Sequence, residues 1–134
     1  MESLSQKKSK AKTTNEFAAI EHLELALAAC AAGQLRNVSY AMKNSEASEK
    51  VKQNELFADE LVKLTKVHLN YCIFKMTVNK INETKFVDAK IPGLLRLLAG
   101  IYALKELGKD STMLYETGFF GPGSATLLTK AYNE

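Results

Sequence analysis

Along residues 54–82, NELFADELVKLTKVHLNYCIFKMTVNKIN, apolar side chains recur at helical spacing. At 100° per residue Phe57, Leu61, Leu64, His68, Tyr71 and Cys72 share one stripe, and Asp59, Lys63, Lys66 and Asn70 take the opposite side. That division fades from Val67 onward. There VHLNYCIFKMTV is apolar almost all round, interrupted mainly by Asn70 and Lys75. A helix of this kind is covered on more than one side. The spacing therefore predicts the central helix of a bundle, whose second half also meets a surface beyond its nearest neighbours.

The flanking segments read as helices too. Thr13-Thr14-Asn15-Glu16 has the spacing of a capping box, in which the threonine hydroxyl accepts from the Glu16 amide and the carboxylate reaches back. The first helix is predicted from about Thr14 to near Met42, with Phe17, Ile20, Leu23, Leu27, Cys30 and Ala31 on a narrow, Ala-rich face. Gly33 weakens its middle by roughly 1 kcal/mol relative to Ala, which predicts a kink or an early stop there. KNSEASEKVK, residues 43–52, is a polar connection or a frayed start to the central helix.

Beyond the central helix, NETKFVDAK is a second polar connection. Pro92 suits the first turn of a third helix, predicted from about Ile91 to Leu107. Its broad apolar face comprises Leu94, Leu95, Leu98, Ile101, Tyr102 and Leu104, and Gly108 is placed as a left-handed cap. Gly100, in mid-helix, marks close approach of another helix backbone. KDSTMLYETGFF predicts a short helical turn, and Gly118, Gly121, Pro122 and Gly123 a chain reversal. Ser124 is expected to cap a final helix, ATLLTKAYN. Strand alternation and internal repeats do not stand out. The predicted class is all-α: three to four main helices in a bundle over residues 13–134, behind a disordered basic leader of residues 1–12.

Composition fits one domain: 134 residues, 46% apolar and 25% charged. The longest apolar candidate, AAIEHLELALAACAAG, carries Glu21, His22 and Glu24, and no run approaches the ~20 residues a membrane span needs. The net charge of +3 resides in the leader, where Lys7, Lys8, Lys10 and Lys12 face only Glu2. Beyond it the charges cancel, so a nucleic-acid surface on the domain is not predicted. KKSKAK is a weak localisation or phosphate-binding signal, and a solvated leader is the simpler reading. Cys30 and Cys72 lack a CxxC or a histidine cluster, and read as buried reduced thiols of an intracellular protein.

Candidate chemistry is sparse. Asp59 and Glu60 lie on the wet side of their helix and read as solvated charge. His68, on an apolar stripe, reads as a hydrogen-bonded core histidine, and Tyr71 as a packing residue. The Gly-Pro-Gly at 121–123 lacks the spacing and flanking elements of a phosphate loop. No catalytic, cofactor-binding or metal residue is assigned.

The central stretch resembles a helix in the C-terminal domain of peroxisomal acyl-CoA oxidases, in the register of Leu61-Val62, His68 and Tyr71. IPGLLRLLAGIYALKELGKDSTMLYETGFF is similar to that family's next segment. Ile101-Tyr102-Ala103-Leu104 stands at its leucine-rich core and Tyr115-Glu116-Thr117-Gly118-Phe119 at its ending. The likeness covers roughly residues 16–132. It implies a C-terminal helical portion of a FAD-dependent enzyme that turns fatty acyl-CoA and O2 into 2-trans-enoyl-CoA and H2O2 in peroxisomal β-oxidation.

The family's catalytic glutamate and flavin-contacting motifs lie upstream of the segment resembled, so none is carried over and the chain alone is expected to be inactive. The resemblance implies a piece of an oxidase, a truncated product or a shortened paralogue, partnered by the remainder of such an enzyme or by a second subunit. The chain lacks a terminal Ser-Lys-Leu-type address, which leaves a cytoplasmic location as the alternative to the peroxisome. A stand-alone helical interaction module is the competing expectation. An unpartnered apolar surface is expected on residues 71–78 and around Phe119-Phe120.

Overall fold

In the computed structural model, which describes residues 9–109, 111–116 and 118–133, the chain begins with the predicted capping box. The Glu16 amide donates to Thr13 Oγ1 at 3.2 Å, and the Glu16 carboxylate accepts from the amides of Lys12 and Thr13 at 2.7 and 3.4 Å. Helix α1, Thr14–Ala18, ends at once because Ala19 is extended (φ −61°, ψ 139°). Helix α2, Ile20–Lys43, then runs unbroken through Gly33. The expected single helix is thus divided near its start rather than at the glycine. His22 makes the break tolerable: its Nδ1 lies 2.8 Å from the Phe17 carbonyl, which continuous helix would have satisfied.

Helix α2 is the most enclosed element. Every residue from Ala26 to Gln34 is buried. Their side chains are mostly single methyl groups, so neighbours approach the backbone closely from several sides. The next segment holds a one-turn helix, α3 (Glu49–Val51), capped by Ser48, and a π-helical turn, Lys52–Leu56, closed by the Phe57 amide on the Lys52 carbonyl at 2.9 Å. Helix α4, Ala58–Glu83, therefore starts four residues later than the pattern predicted. Asp88 opens α5, Lys90–Lys109, by accepting from the Lys90 amide at 2.9 Å. Pro92 falls in the first turn, as expected. Helices α2, α4 and α5 pack pairwise into a three-helix bundle, α6 (Ser111–Glu116) lies on α2, and α7 (Ser124–Asn133) lies on α1 and α5. No strand occurs among the described residues, and the all-α class holds.

The buried faces differ from the predicted ones. On α4 the core line is Val67, Asn70, Phe74, Val78 and Ile81, and His68 is exposed. The predicted stripe is off by about one residue because Asn70, a polar side chain, is inside. On α5 the buried residues are Ala99, Gly100, Ala103, Leu104, Glu106 and Leu107, whereas Leu94, Leu98 and Ile101 are about half exposed (58%, 54% and 44%). Small residues face α2, and Leu94, Leu97 and Leu98 are left outside. A Cβ built on Gly100 would meet Leu23 Cδ1 at 3.8 Å, an ordinary contact, so no backbone approach requires that glycine. Gly108 is helical, not a left-handed cap; among the described residues the positive-φ positions are Gly118 and Gly123. Ser124 is the first residue of α7 and is buried.

Phe119 and Phe120 are also buried, which overturns the exposure expected there. They join Phe17 and Tyr115 in an aromatic cluster, with Phe120 5.5 Å from Phe17 and edge-on to Tyr115 at 5.5 Å. Ser9 donates its amide to the Phe119 carbonyl at 2.7 Å, so the leader joins the fold from Ser9 on. Residues 1–8 lie outside the described residues.

Two adjacent positions on α4 give a direct check of the corrected face. Phe74 is 1% exposed and Ile73 50%. Phe74→Ala is expected to cost about 3–5 kcal/mol in urea unfolding, and Ile73→Ala about 0.5 kcal/mol or less. Equal losses at the two sites would refute the assigned rotation of α4.

Candidate functional site

Between α4 and α5, on the side away from α2, the surface opens into a groove of about 470 Å3. Ile73, Thr77 and Ile81 form one wall and Leu95, Leu98 and Tyr102 the other, with Phe86 closing the end near the connection. Lys80 is the one cation in its lining. A second concavity, about 600 Å3, continues along α4 past Val62, Lys66 and Leu69 and shares Ile73 with the first. Aliphatic carbon dominates both.

The groove keeps its shape because a buried polar cluster joins its walls. Tyr102 donates to Asn70 Oδ1 at 2.9 Å, and Asn70 Nδ2 donates to Glu106 Oε2 at 3.1 Å. Lys109 neutralises the same carboxylate at 3.1 Å. Burial pushes the Tyr102 hydroxyl above its ordinary pKa, the Glu106 charge adds to the shift, and Lys109 opposes it. The phenol therefore stays a donor. Buried polar groups of this kind are stable only when each finds its partner, which fixes α4 and α5 in a single register.

Elsewhere the candidate residues do not assemble into a reacting site. His68 lies on the surface, its Nε2 3.6 Å from Cys72 Sγ, and is no core histidine. Cys72 is half-buried, whereas Cys30 is buried as expected. Asp59 and Glu60 are exposed. No cluster of three metal-ligating side chains occurs among the described residues. Nor is any helix there long and apolar enough to cross a membrane. A smaller polar cavity holds Lys63, Lys109 and Glu116 beside Gln34, and its charges are mixed.

His22 was not singled out by the sequence. The ring sits 4.7 Å from Phe17, and Nε2 lies 2.7 Å from Ser9 Oγ. With Nδ1–H donating to the Phe17 carbonyl, Nε2 accepts from the serine. Burial holds its pKa below the ordinary 6.5, and the Phe17 carbonyl works in the other direction. Only the short distance to Phe17 and the Thr13 cap signalled it, and neither reveals the break at Ala19.

Three comparisons bear on these observations. A family model described as acyl-CoA oxidase matches residues 19–134. Among solved structures the chain is similar to the crystal structure of acyl-CoA oxidase 3 from Yarrowia lipolytica, with a TM-score of 0.81 and 18% sequence identity. That match covers 98% of this chain and 18% of the other, so this chain spans under a fifth of its length. No curated protein matches.

Two predictions test the geometry. Asn70→Ala removes one partner each from Glu106 Oε2 and the Tyr102 hydroxyl and is expected to cost about 1–3 kcal/mol, with Tyr102→Phe costing less once Asn70 is gone. Additive losses in that cycle would contradict the cluster. For His22 the folded pKa is depressed, so the unfolded chain binds more protons. Its contribution is fully present above 6.5 and is lost as pH falls from there through the folded value. The urea midpoint of His22→Gln should accordingly fall less than that of the parent between neutral pH and the acid side of this window, and parallel curves would overturn the assignment.

Proposed function

The chain belongs to the acyl-CoA oxidase family, and from that premise we propose that it is the C-terminal helical portion of such an enzyme, supplying packing and an interface. The intact enzyme would be FAD-dependent and peroxisomal, converting a fatty acyl-CoA and O2 to the 2-trans-enoyl-CoA and H2O2 in fatty-acid β-oxidation. The observation that carries the reading is the family match over residues 19–134 on a chain that aligns with under a fifth of one such oxidase. The apolar groove is consistent with it, since a domain that serves by packing leaves such a face for the rest of its assembly.

FAD supplies the acceptor for the hydride in such oxidations. A flavin dinucleotide needs donors for its diphosphate and a slot for three fused rings. The α4/α5 groove offers aliphatic walls and Lys80 alone among cations. The helix interiors that line it spend their amides on their own hydrogen bonds. These residues do not fit the group, and no catalytic step is assigned to them. What this chain does instead is hold a rigid apolar surface in place through Asn70, Tyr102 and Glu106.

The reading is tested by incubating the purified chain with FAD, desalting it and recording the visible spectrum, followed by a peroxide assay with a fatty acyl-CoA. The expected result is no retained flavin band and no peroxide. A stoichiometric flavin band with peroxide release would sink the assignment of a packing role.

A further inference from the structure

The exposed side of α4 carries a second periodic line besides the one that faces α2. Val62, Lys66, Leu69, Ile73, Met76 and Lys80 alternate at spacings of four and three, and all are exposed. On α5, Ile91, Leu94, Leu98, Ile101 and Lys105 repeat the same spacing and are exposed as well. Four-three alternation is the a/d pattern by which one helix receives the side chains of another. The two lines form rails: Ile73 and Lys80 of one and Leu98 of the other border a trough of about 470 Å3, and the remaining members are exposed outside its lining.

The charges beside these rails have one sign. No carboxylate occurs between Leu61 and Asn82 on α4, or between Lys90 and Lys105 on α5. The acidic residues of α4, Asp59, Glu60 and Glu83, sit at its two ends. Lys66 and Lys80 meet no carboxylate among the described residues, since the recorded ion pairs involve Lys52, Lys75 and Lys109. From residue 13 to residue 60 acidic side chains outnumber basic ones. The domain's balanced total thus conceals a sorted surface.

We propose that this face is a docking site for an acidic amphipathic helix, one with apolar residues at a and d positions and Glu or Asp beside them. The trough accepts the partner's apolar seam, and Lys66 and Lys80 flank it from the α4 side. A second copy of this chain is a poor occupant. A two-fold axis through Ile73 would set Lys66 of one copy against Lys80 of the other, because each lies seven residues from Ile73. A parallel arrangement would set like against like. A lipid surface fits less well than a helix, because the apolar residues border a concavity instead of a convex ridge. The eight apolar residues of the rails are each between 42% and 71% exposed, where a monomer ordinarily scatters its exposed apolar side chains singly. The inference rests on the reading of this chain as a packing portion of a larger assembly, and specifies the chemistry of what it packs against.

The full 134-residue chain is titrated against two labelled peptides of about three heptads, each with Leu at a and d, one with Glu and the other with Lys at the flanking positions. The Glu peptide is expected to bind at least about tenfold more tightly, and the preference to shrink in high salt. Lys66→Glu/Lys80→Glu, checked for folding by circular dichroism, should abolish or reverse the preference. If the double variant loses its helical signal, Lys80→Glu alone replaces it and should reduce the preference.

Equal affinity for both peptides, or no binding of the Glu peptide, overturns the proposal. Binding to phosphatidylserine vesicles without binding to the peptide assigns the face to a membrane, and a dimer in sedimentation that Ile73→Lys dissolves assigns it to a second copy. Either result also overturns the proposal. The flavin and peroxide readouts are independent of all these outcomes, so failure of the docking site is distinguishable from failure of the packing role.

Discussion

The thinness of α2 governs how the rest of the chain can lie. From Ala26 to Gln34 that helix is buried, and its side chains there are mostly methyl groups, so it contributes little volume of its own. Volume must come from what leans on it. Phe74, Leu107 and Leu114 do so from α4, α5 and α6, and all three are almost completely buried. The buried alanines of α5, Ala99 and Ala103, then follow from the same constraint: two helices that approach closely both need short side chains at the contact. Having spent its small face on α2, α5 has only its leucine-rich side left to present outward.

That arrangement explains what was legible in the sequence and what was not. The capping box at Thr13 and Glu16 was readable because it is a local hydrogen-bond pattern with fixed spacing. The number and order of the main helices were readable from apolar periodicity. Which face of each helix goes inside was not, because periodicity ranks residues by hydropathy and the fold ranks them by fit. Asn70 is inside because Tyr102 and Glu106 meet it across the interface, partners 32 and 36 positions away. Leu94 and Leu98 are outside because the alanines of α5 were the better match to α2. The break at Ala19 escaped for a different reason: the residue that sustains it, His22, acts through a carbonyl five positions back.

The groove was half legible. The surplus of apolar positions in the second half of α4 predicted an unpartnered apolar surface on residues 71–78; Ile73 and Met76 are exposed there, whereas Phe74 and Val78 are buried. The α5 rail and the one-signed charge beside both rails were hidden, since a net charge summed over the domain discards position. Family membership gives this surface a context. The chain matches the acyl-CoA oxidase family over residues 19–134 and aligns with 18% of one such structure, and a packing role for the groove is the reading proposed above.

The bond from the Ser9 amide to the Phe119 carbonyl joins parts of the chain roughly a hundred positions apart, and α7 packs on α1 beside it. Helical turns and helix pairs close short loops and can form early, whereas this seam requires nearly the whole polypeptide to be in place before it gains anything. That seam makes the aromatic cluster of Phe17, Tyr115, Phe119 and Phe120 depend on both ends of the described chain at once.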